Sequence, residues 1–326
     1  MLCLGIFFLN IAKGQISGYR ITNTFHIQSS GGWDYIAVGP GNNRLYVSHG
    51  TQVNILNQQT GDSIGVIPNT TGVHGIAFVT SLNKGYTSNG KLNNLTIFDL
   101  TTNQILGQIA AGTNPDAIMY DEYSKQIITC NGRSRDLTLI DPVTDKVTGT
   151  IPVDGKPETA VSDEKGNIYV NIEDKNEISK IDLKTMKVSK SWSLAPFEGP
   201  TGLANDIRKN KLFAGCDKNL VILDLTTGKI NNVSIGDGCD GVAFDNELGY
   251  VFASCGEGKL SVVKENSEGS YKLVEDIKTK PSARTIALDQ KSHTVYLPAA
   301  DLGNPGVDGK RPPVIPGTFQ VLVLKQ

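Results

Sequence analysis

The segment Leu95–Tyr120, LTIFDLTTNQILGQIAAGTNPDAIMY, is followed by Leu137–Val161, LTLIDPVTDKVTGTIPVDGKPETAV, and the two agree position by position. Each is an alternating run of β-branched and apolar residues, a turn rich in Asp and Thr, a second alternating run and a turn bearing Gly and Pro. The unit recurs as VNILNQQTGDSI from Val53, ISKIDLKTMKV from Ile178 and LVILDLTTGKI from Leu220. A weaker copy, LSVVKENSEGSYKLV, starts at Leu260, and FQVLVL, Phe319–Leu324, is the last. A second landmark lies in the strand before each copy: Tyr46, Tyr86, Ile128, Tyr169, Phe213, Phe252 and Tyr296, in steps of 40, 42, 41, 44, 39 and 44 residues. From Trp33 to Gln326 are 294 residues, or seven units averaging 42. Self-similarity at about 40 to 45 residues, with four strands per unit, is the mark of a β-propeller. The sequence therefore predicts an all-β, seven-bladed β-propeller with four-stranded blades.

The ring also has a predicted closure. The seventh repeat reaches Gln326 after three strands, while Arg20–Ile27 (RITNTFHI) resembles the outer strand of other blades, such as Gln104–Ile109. An N-terminal strand is thus expected to complete the last blade, leaving no open sheet edge at the seam. The 326 residues then divide into a short leader and one domain, residues 16–326, in place of the two domains that length alone suggests. The leader, residues 1–15, contains the longest apolar run, Leu2–Ala12, too short for the ~20 residues of a membrane helix but suited to a signal-peptide core. It predicts export, to a periplasmic or secreted location, although no Lys or Arg precedes the apolar core.

Thirty-five glycines fit a chain of many turns, and 33 acidic against 31 basic side chains give a net charge of −2. So balanced a chain has no global field to gather nucleic acid or an anionic membrane. No nucleic-acid partner and no membrane span after signal removal are expected. The sequence has no GxSxG elbow, Walker loop, HExxH or dinucleotide fingerprint. Cys130, Cys216, Cys239 and Cys255 have no zinc-finger or haem-attachment spacing. Hairpin pairing of Val242 with Phe252 sets Cys239 opposite Cys255, which leaves open a cross-strand disulfide, with Cys216 as competitor, or free thiols.

The units built as "YV-S/T-N, strand, ID-T-x-T-x-K-V-x-x-T-I-P-V-G-x-x-P-x-x-x-A" resemble the YVTN-type repeat of the YncE-like propellers, over essentially Trp33–Lys325. Leu137–Asn171 is the closest copy, and Val295–Leu324 resembles the ending of an exported bacterial subgroup. The resemblance implies the propeller fold. Members of that family are often labelled by analogy with lactonases, and no shared catalytic motif carries over to these residues.

In a propeller the innermost strand of each blade starts at one face and the next strand returns to it. Register predicts two rings of side chains around the channel mouth. The strand-start ring is Asp34, His74, Asp116, Glu158, Thr201, Asp240 and Arg284; the strand-end ring is His49, Asn89, Asn131, Ile172, Cys216, Cys255 and Ala299. Four carboxylates and one Arg give the first ring about −3, a charge that calls for a positive partner. Asp116, Glu158 and Asp240 with the amides of Asn89 and Asn131 would suit an oxygen-liganded divalent ion, while His49 and His74 beside Asp34 would suit zinc, copper or iron. The long connection Pro298–Thr318 is expected to form an ordered flap carrying Asp301, Asp308, Lys310 and Arg311 at the mouth. The expected activity is binding of a small molecule, a cation or a protein at this mouth, with catalysis not evident. The alternative is a metal-dependent hydrolase resembling the gluconolactonase-type propellers, using calcium, magnesium or zinc held by Glu158, Asn131 and Asp240.

Overall fold

The computed structural model describes residues 17–304 and 312–326. The expected export signal and the flap residues Asp308, Lys310 and Arg311 lie outside them. The described residues form seven four-stranded antiparallel sheets in chain order, with two 3-10 turns, Thr80–Leu82 and Glu173–Lys175, as their helical content. The all-β, seven-bladed propeller read from the repeat is the observed fold. No helix among the described residues is long and apolar enough to cross a membrane.

Burial within a blade follows strand position. The second and third strands, such as Gln126–Asn131 and Asp136–Asp141, pack between neighbouring blades on both faces and read as near-continuous apolar runs. Outer strands such as Ile105–Ala110 alternate, with one face exposed. The recurring Asp residues between third and fourth strands are turn formers. Asp99 accepts the backbone N–H groups of Thr101 and Thr102 at 2.9 and 2.7 Å, and Asp224 those of Thr226 and Thr227 at 3.0 and 2.9 Å.

The seventh blade is closed by the N-terminal strand, Arg20–His26, antiparallel to Gln320–Lys325 from Arg20 opposite Lys325 to His26 opposite Gln320. Its side chains reach both neighbours. Tyr19 stacks edge-on against Phe252 of the sixth blade at 5.0 Å. Phe25, 3% exposed, lies in a cluster with Leu45 and Leu56 of the first blade. Gly61 turns beneath that ring at φ +79°, where a Cβ would stand 2.3 Å from Phe25 Cδ1. Only glycine fits both the left-handed turn and the aromatic ring above it.

The long connection of the seventh blade is anchored at its base. Leu302 bridges Val314, Gly303 N–H donates to the Pro313 carbonyl at 2.8 Å, and Ile315 N–H donates to the Asp301 carbonyl at 2.8 Å. Phe25→Ala should lower the unfolding free energy by about 3–5 kcal/mol, the range for a buried Phe truncation. Chemical denaturation measures it, and a loss under about 1 kcal/mol would mean that the strand does not stitch the ring.

Candidate functional site

Backbone irregularity aims the site. In the inner strands of blades one to four and six, ladder register slips between Trp33 and Ile36, Val73 and Ile76, Pro115 and Ile118, Pro157 and Ala160, and Cys239 and Gly241. Asp34, His74, Asp116, Glu158 and Asp240 each fall inside one of these slips. A bulge breaks the alternation of side chains and re-aims the extra residue. Thr201 and Arg284 lie just ahead of their strands, Leu203–Asp206 and Ala287–Asp289. Hydroxyls tie these irregular segments down, both within a blade and across to the next. Ser48 Oγ accepts Asp34 N–H at 3.1 Å and donates to the Tyr35 carbonyl at 2.9 Å, and Ser88 Oγ accepts Gly75 N–H at 2.8 Å while donating to the Asp116 carbonyl of the next blade. Thr285 donates to the Asp34 carbonyl at 2.6 Å, joining the seventh blade to the first.

All seven residues of the strand-start ring line one cavity of about 500 Å³ at the channel mouth. Tyr35 forms part of its wall and also lines a smaller, mainly apolar cavity of about 160 Å³. From the first blade its hydroxyl reaches Thr159 Oγ1 of the fourth at 3.5 Å. Tyr35 thus crosses the lumen below the mouth. Burial, then the charges of Asp116, Glu158 and Asp34, hold its hydroxyl well above the usual phenol range.

Charges in the cavity are arranged in chains. Arg284 Nη1 donates to Asp240, and its Nη2 lies 3.5 Å from Asp34 Oδ1. The other Asp34 oxygen meets His74 Nδ1 at 2.5 Å, and the same nitrogen lies 3.7 Å from Asp116 Oδ1. Burial disfavours the His74 cation, but the hydrogen bond to Asp34 and the carboxylates of Asp116, Asp34 and Glu158 outweigh it and raise its pKa. Burial pushes Asp116 up to about 6 against the opposing influence of His74. Lys156 bridges Glu158 Oε1, at 2.5 Å, and Glu173. Burial, then the Asp116 charge, pushes Glu158 up to about 8 despite that lysine. Lys156 itself is raised: its hydrogen bonds to both acids outweigh its burial. The lysine therefore keeps its proton between the two acids, while burial favours the neutral form of Glu158.

Several expectations are corrected. The funnel of about −3 does not exist as such: Lys91, Arg133, Lys156 and Glu173 join the lining, giving five carboxylates and four fixed cations beside His74. The positive partners are built into the protein. Asn89 and Asn131 of the strand-end ring are fully buried, and neither lines the cavity. The second strand lies one strand spacing behind the lumen, so its last side chain turns into the blade. Asn131 Nδ2 donates to Asp136 Oδ1 and Thr138 Oγ1 at 2.7 and 2.8 Å, and Asn89 Nδ2 to Asn94 Oδ1 and Thr96 Oγ1 at 2.9 and 2.8 Å. With Asn131 behind the wall, Glu158, Asn131 and Asp240 do not share one cavity. His49 is buried between Ser29 Oγ, 2.6 Å from Nδ1, and the Gly31 carbonyl, 3.0 Å from Nε2, with its ring on Phe319. Asp301 is not in the cavity lining and pairs with Lys280. Cys239 does face Cys255, but Val242 pairs with Ala253 rather than Phe252, because the slip at Asp240 shifts the register by one. The four described cysteines are buried free thiols.

Two of the three cations that sequence reasoning missed, Lys91 and Arg133, had a signal. Asn89-Gly90-Lys91 and Asn131-Gly132-Arg133 occupy the same place in successive repeats, five residues past the landmark. The glycine carries the chain out of the blade, so in these two blades the mouth is lined at the fifth residue and not the third. Gly90 also leaves room for the imidazole: a Cβ there would stand 2.6 Å from His74 Nε2.

No protein-family model matches the chain, and no curated protein matches it. Among solved structures it is similar to hydrazine synthase of Kuenenia stuttgartiensis, with a TM-score of 0.73, 14% identity, and coverage of 87% of this chain and 96% of that one. So low an identity extends to the architecture alone, in agreement with the seven four-stranded blades.

Two outcomes are expected at the mouth. Because Glu158 ionises more readily unfolded, near 4.5, than folded, near 8, its contribution to stability is fully present below pH 4.5 and is lost as pH rises through 8. Glu158→Gln should flatten the fall in melting temperature across that window. Equal pH slopes for variant and wild type would mean that Lys156 keeps Glu158 ionised throughout. Gly90→Ala should cost about 1–3 kcal/mol, the usual range for overpacking, and shift the His74 imidazole resonances in NMR spectra. An unchanged melting point and spectrum would contradict the packing of His74 on Gly90.

Proposed function

We propose that the protein is an exported binding propeller of the YVTN/YncE-like kind, working in the periplasm or outside the cell. It takes a small polar molecule bearing an anionic group into the channel-mouth cavity. The observation that carries this reading is the pairing of charges. Arg284 and Lys156 are engaged by Asp240, Asp34, Glu158 and Glu173. Lys91 and Arg133, on adjacent blades of the same cavity, have no side-chain hydrogen bond or ion pair among the described residues. Two uncompensated cations over a cavity of about 500 Å³ suit a carboxylate or phosphate-bearing molecule of modest size. This differs from the cationic ligand that the strand-start ring alone suggests, because the acids of that ring other than Asp116 are already paired.

The lactonase-type alternative is less well supported, since Asn131, one of its three proposed ligands, lies behind the cavity wall. Binding of succinate and of inorganic phosphate, followed by calorimetry and thermal shift, tests the anion reading. Saturable binding of at least one probe, weakened about tenfold or more in Lys91→Ala/Arg133→Ala, is expected, the loss of two charge-assisted contacts being worth more than ~1.4 kcal/mol. Equal binding by the double variant, or none by the wild type, would overturn it.

A further inference from the structure

The least satisfied group in the mouth is Asp116. Its side chain is 13% exposed, its carboxylate borders the cavity, and no donor among the described residues lies within hydrogen-bonding distance of it. His74 Nδ1 lies 3.7 Å from its Oδ1. A desolvated carboxylate without a donor is costly unless something from the cavity completes it. The same imidazole nitrogen meets Asp34 at 2.5 Å, and one ligand atom from each of Asp34, His74 and Asp116 lies within 4.8 Å of the others. Among the described residues, this is the one such group of three metal-ligating side chains.

We infer that Asp34, His74 and Asp116 form a three-ligand site for a divalent transition ion, open on its remaining side to the channel-mouth cavity. Ligand atoms about 2.0–2.2 Å from one ion are necessarily within about 4.4 Å of each other, so the present spacing is close to the required one. Seating an ion between the three needs only a small withdrawal of Asp34 from the imidazole and an approach of Asp116. The first three blades contribute one ligand each, all held in register slips, so backbone geometry already directs them to a common point. The remaining Asp34 oxygen faces Arg284, an outer partner that orients the carboxylate. One imidazole with two carboxylates selects zinc, cobalt, manganese or iron over calcium and magnesium, which prefer all-oxygen shells. Three protein ligands also leave coordination positions for water or for an incoming anion. In that last respect the inference rests on the anion reading above: the metal would hold one end of the molecule and Lys91 with Arg133 the other.

Cobalt(II) titration of chelator-stripped full-length protein, read by visible absorption and by calorimetry, tests the site. One ion per chain is expected, with an absorption band that reports protein ligation. Affinity should fall at least about tenfold in His74→Ala and in Asp116→Asn, and remain unchanged in Glu122→Gln, an exposed carboxylate far from the mouth. Melting profiles establish that each variant is folded, and the wild-type titration decides the matter even if one is not. Absence of stoichiometric binding, or binding unaffected by Asp116→Asn, would overturn the inference. Succinate and phosphate binding to the stripped protein is measured separately. Anion binding that persists without cobalt binding removes the metal site alone, and cobalt binding without anion binding removes the anion reading alone.

Discussion

The ladder between Arg20–His26 and Gln320–Lys325 is the constraint on which the rest of the structure depends. A propeller blade packs only against its neighbours, so an open ring would leave two blades with one bare face and a sheet edge available for pairing. Tyr19 and Phe25 extend the closure into the sixth and first blades. The Thr285 hydroxyl then joins the inner strands of the seventh and first blades at the Asp34 carbonyl. With the ring closed, seven strand starts converge on one axis, and residues as distant in sequence as Asp34 and Arg284 become neighbours.

Convergence creates an electrostatic problem that the protein solves internally. Like carboxylates brought together out of water repel one another and lose hydration. Here they are interleaved with Arg284, His74 and Lys156, so the charges run as short alternating chains around the lumen. The interleaving is incomplete. Asp116 lacks a donor, and Lys91 and Arg133 lack acids among the described residues. Those residual imbalances, rather than the summed charge, carry the chemical character of the cavity. Tyr35 crosses the floor of this cavity, and Lys91 and Arg133 stand at its rim.

The site was legible in part. Repeat register placed Asp34, His74, Asp116, Glu158, Thr201, Asp240 and Arg284 in one ring, and all seven line the same cavity. The same logic failed one strand further out. The residue three past each landmark, such as Asn131 or His49, ends a strand that lies behind the inner one and turns into the blade. The rim side chains Lys91 and Arg133 come two residues later, after a glycine. Register slips explain the other miss: counting from Cys239 opposite Cys255 gives the wrong partner for Val242, because one extra residue, Asp240, bulges toward the lumen.

The architecture was already written in the repeat, because a unit near 42 residues with four alternating runs can bury its apolar faces only by stacking side by side, and seven such units follow one another from Trp33. The sequence also determined which strand closes the ring, since that follows from local pattern. Tertiary structure alone decided the balance of the channel mouth. Ion pairing depends on distances across blades some 40 residues apart in sequence, as between Asp34 and His74. Composition does not contain those distances, so neither the near-neutral whole nor an isolated acidic ring describes the charge of the channel mouth.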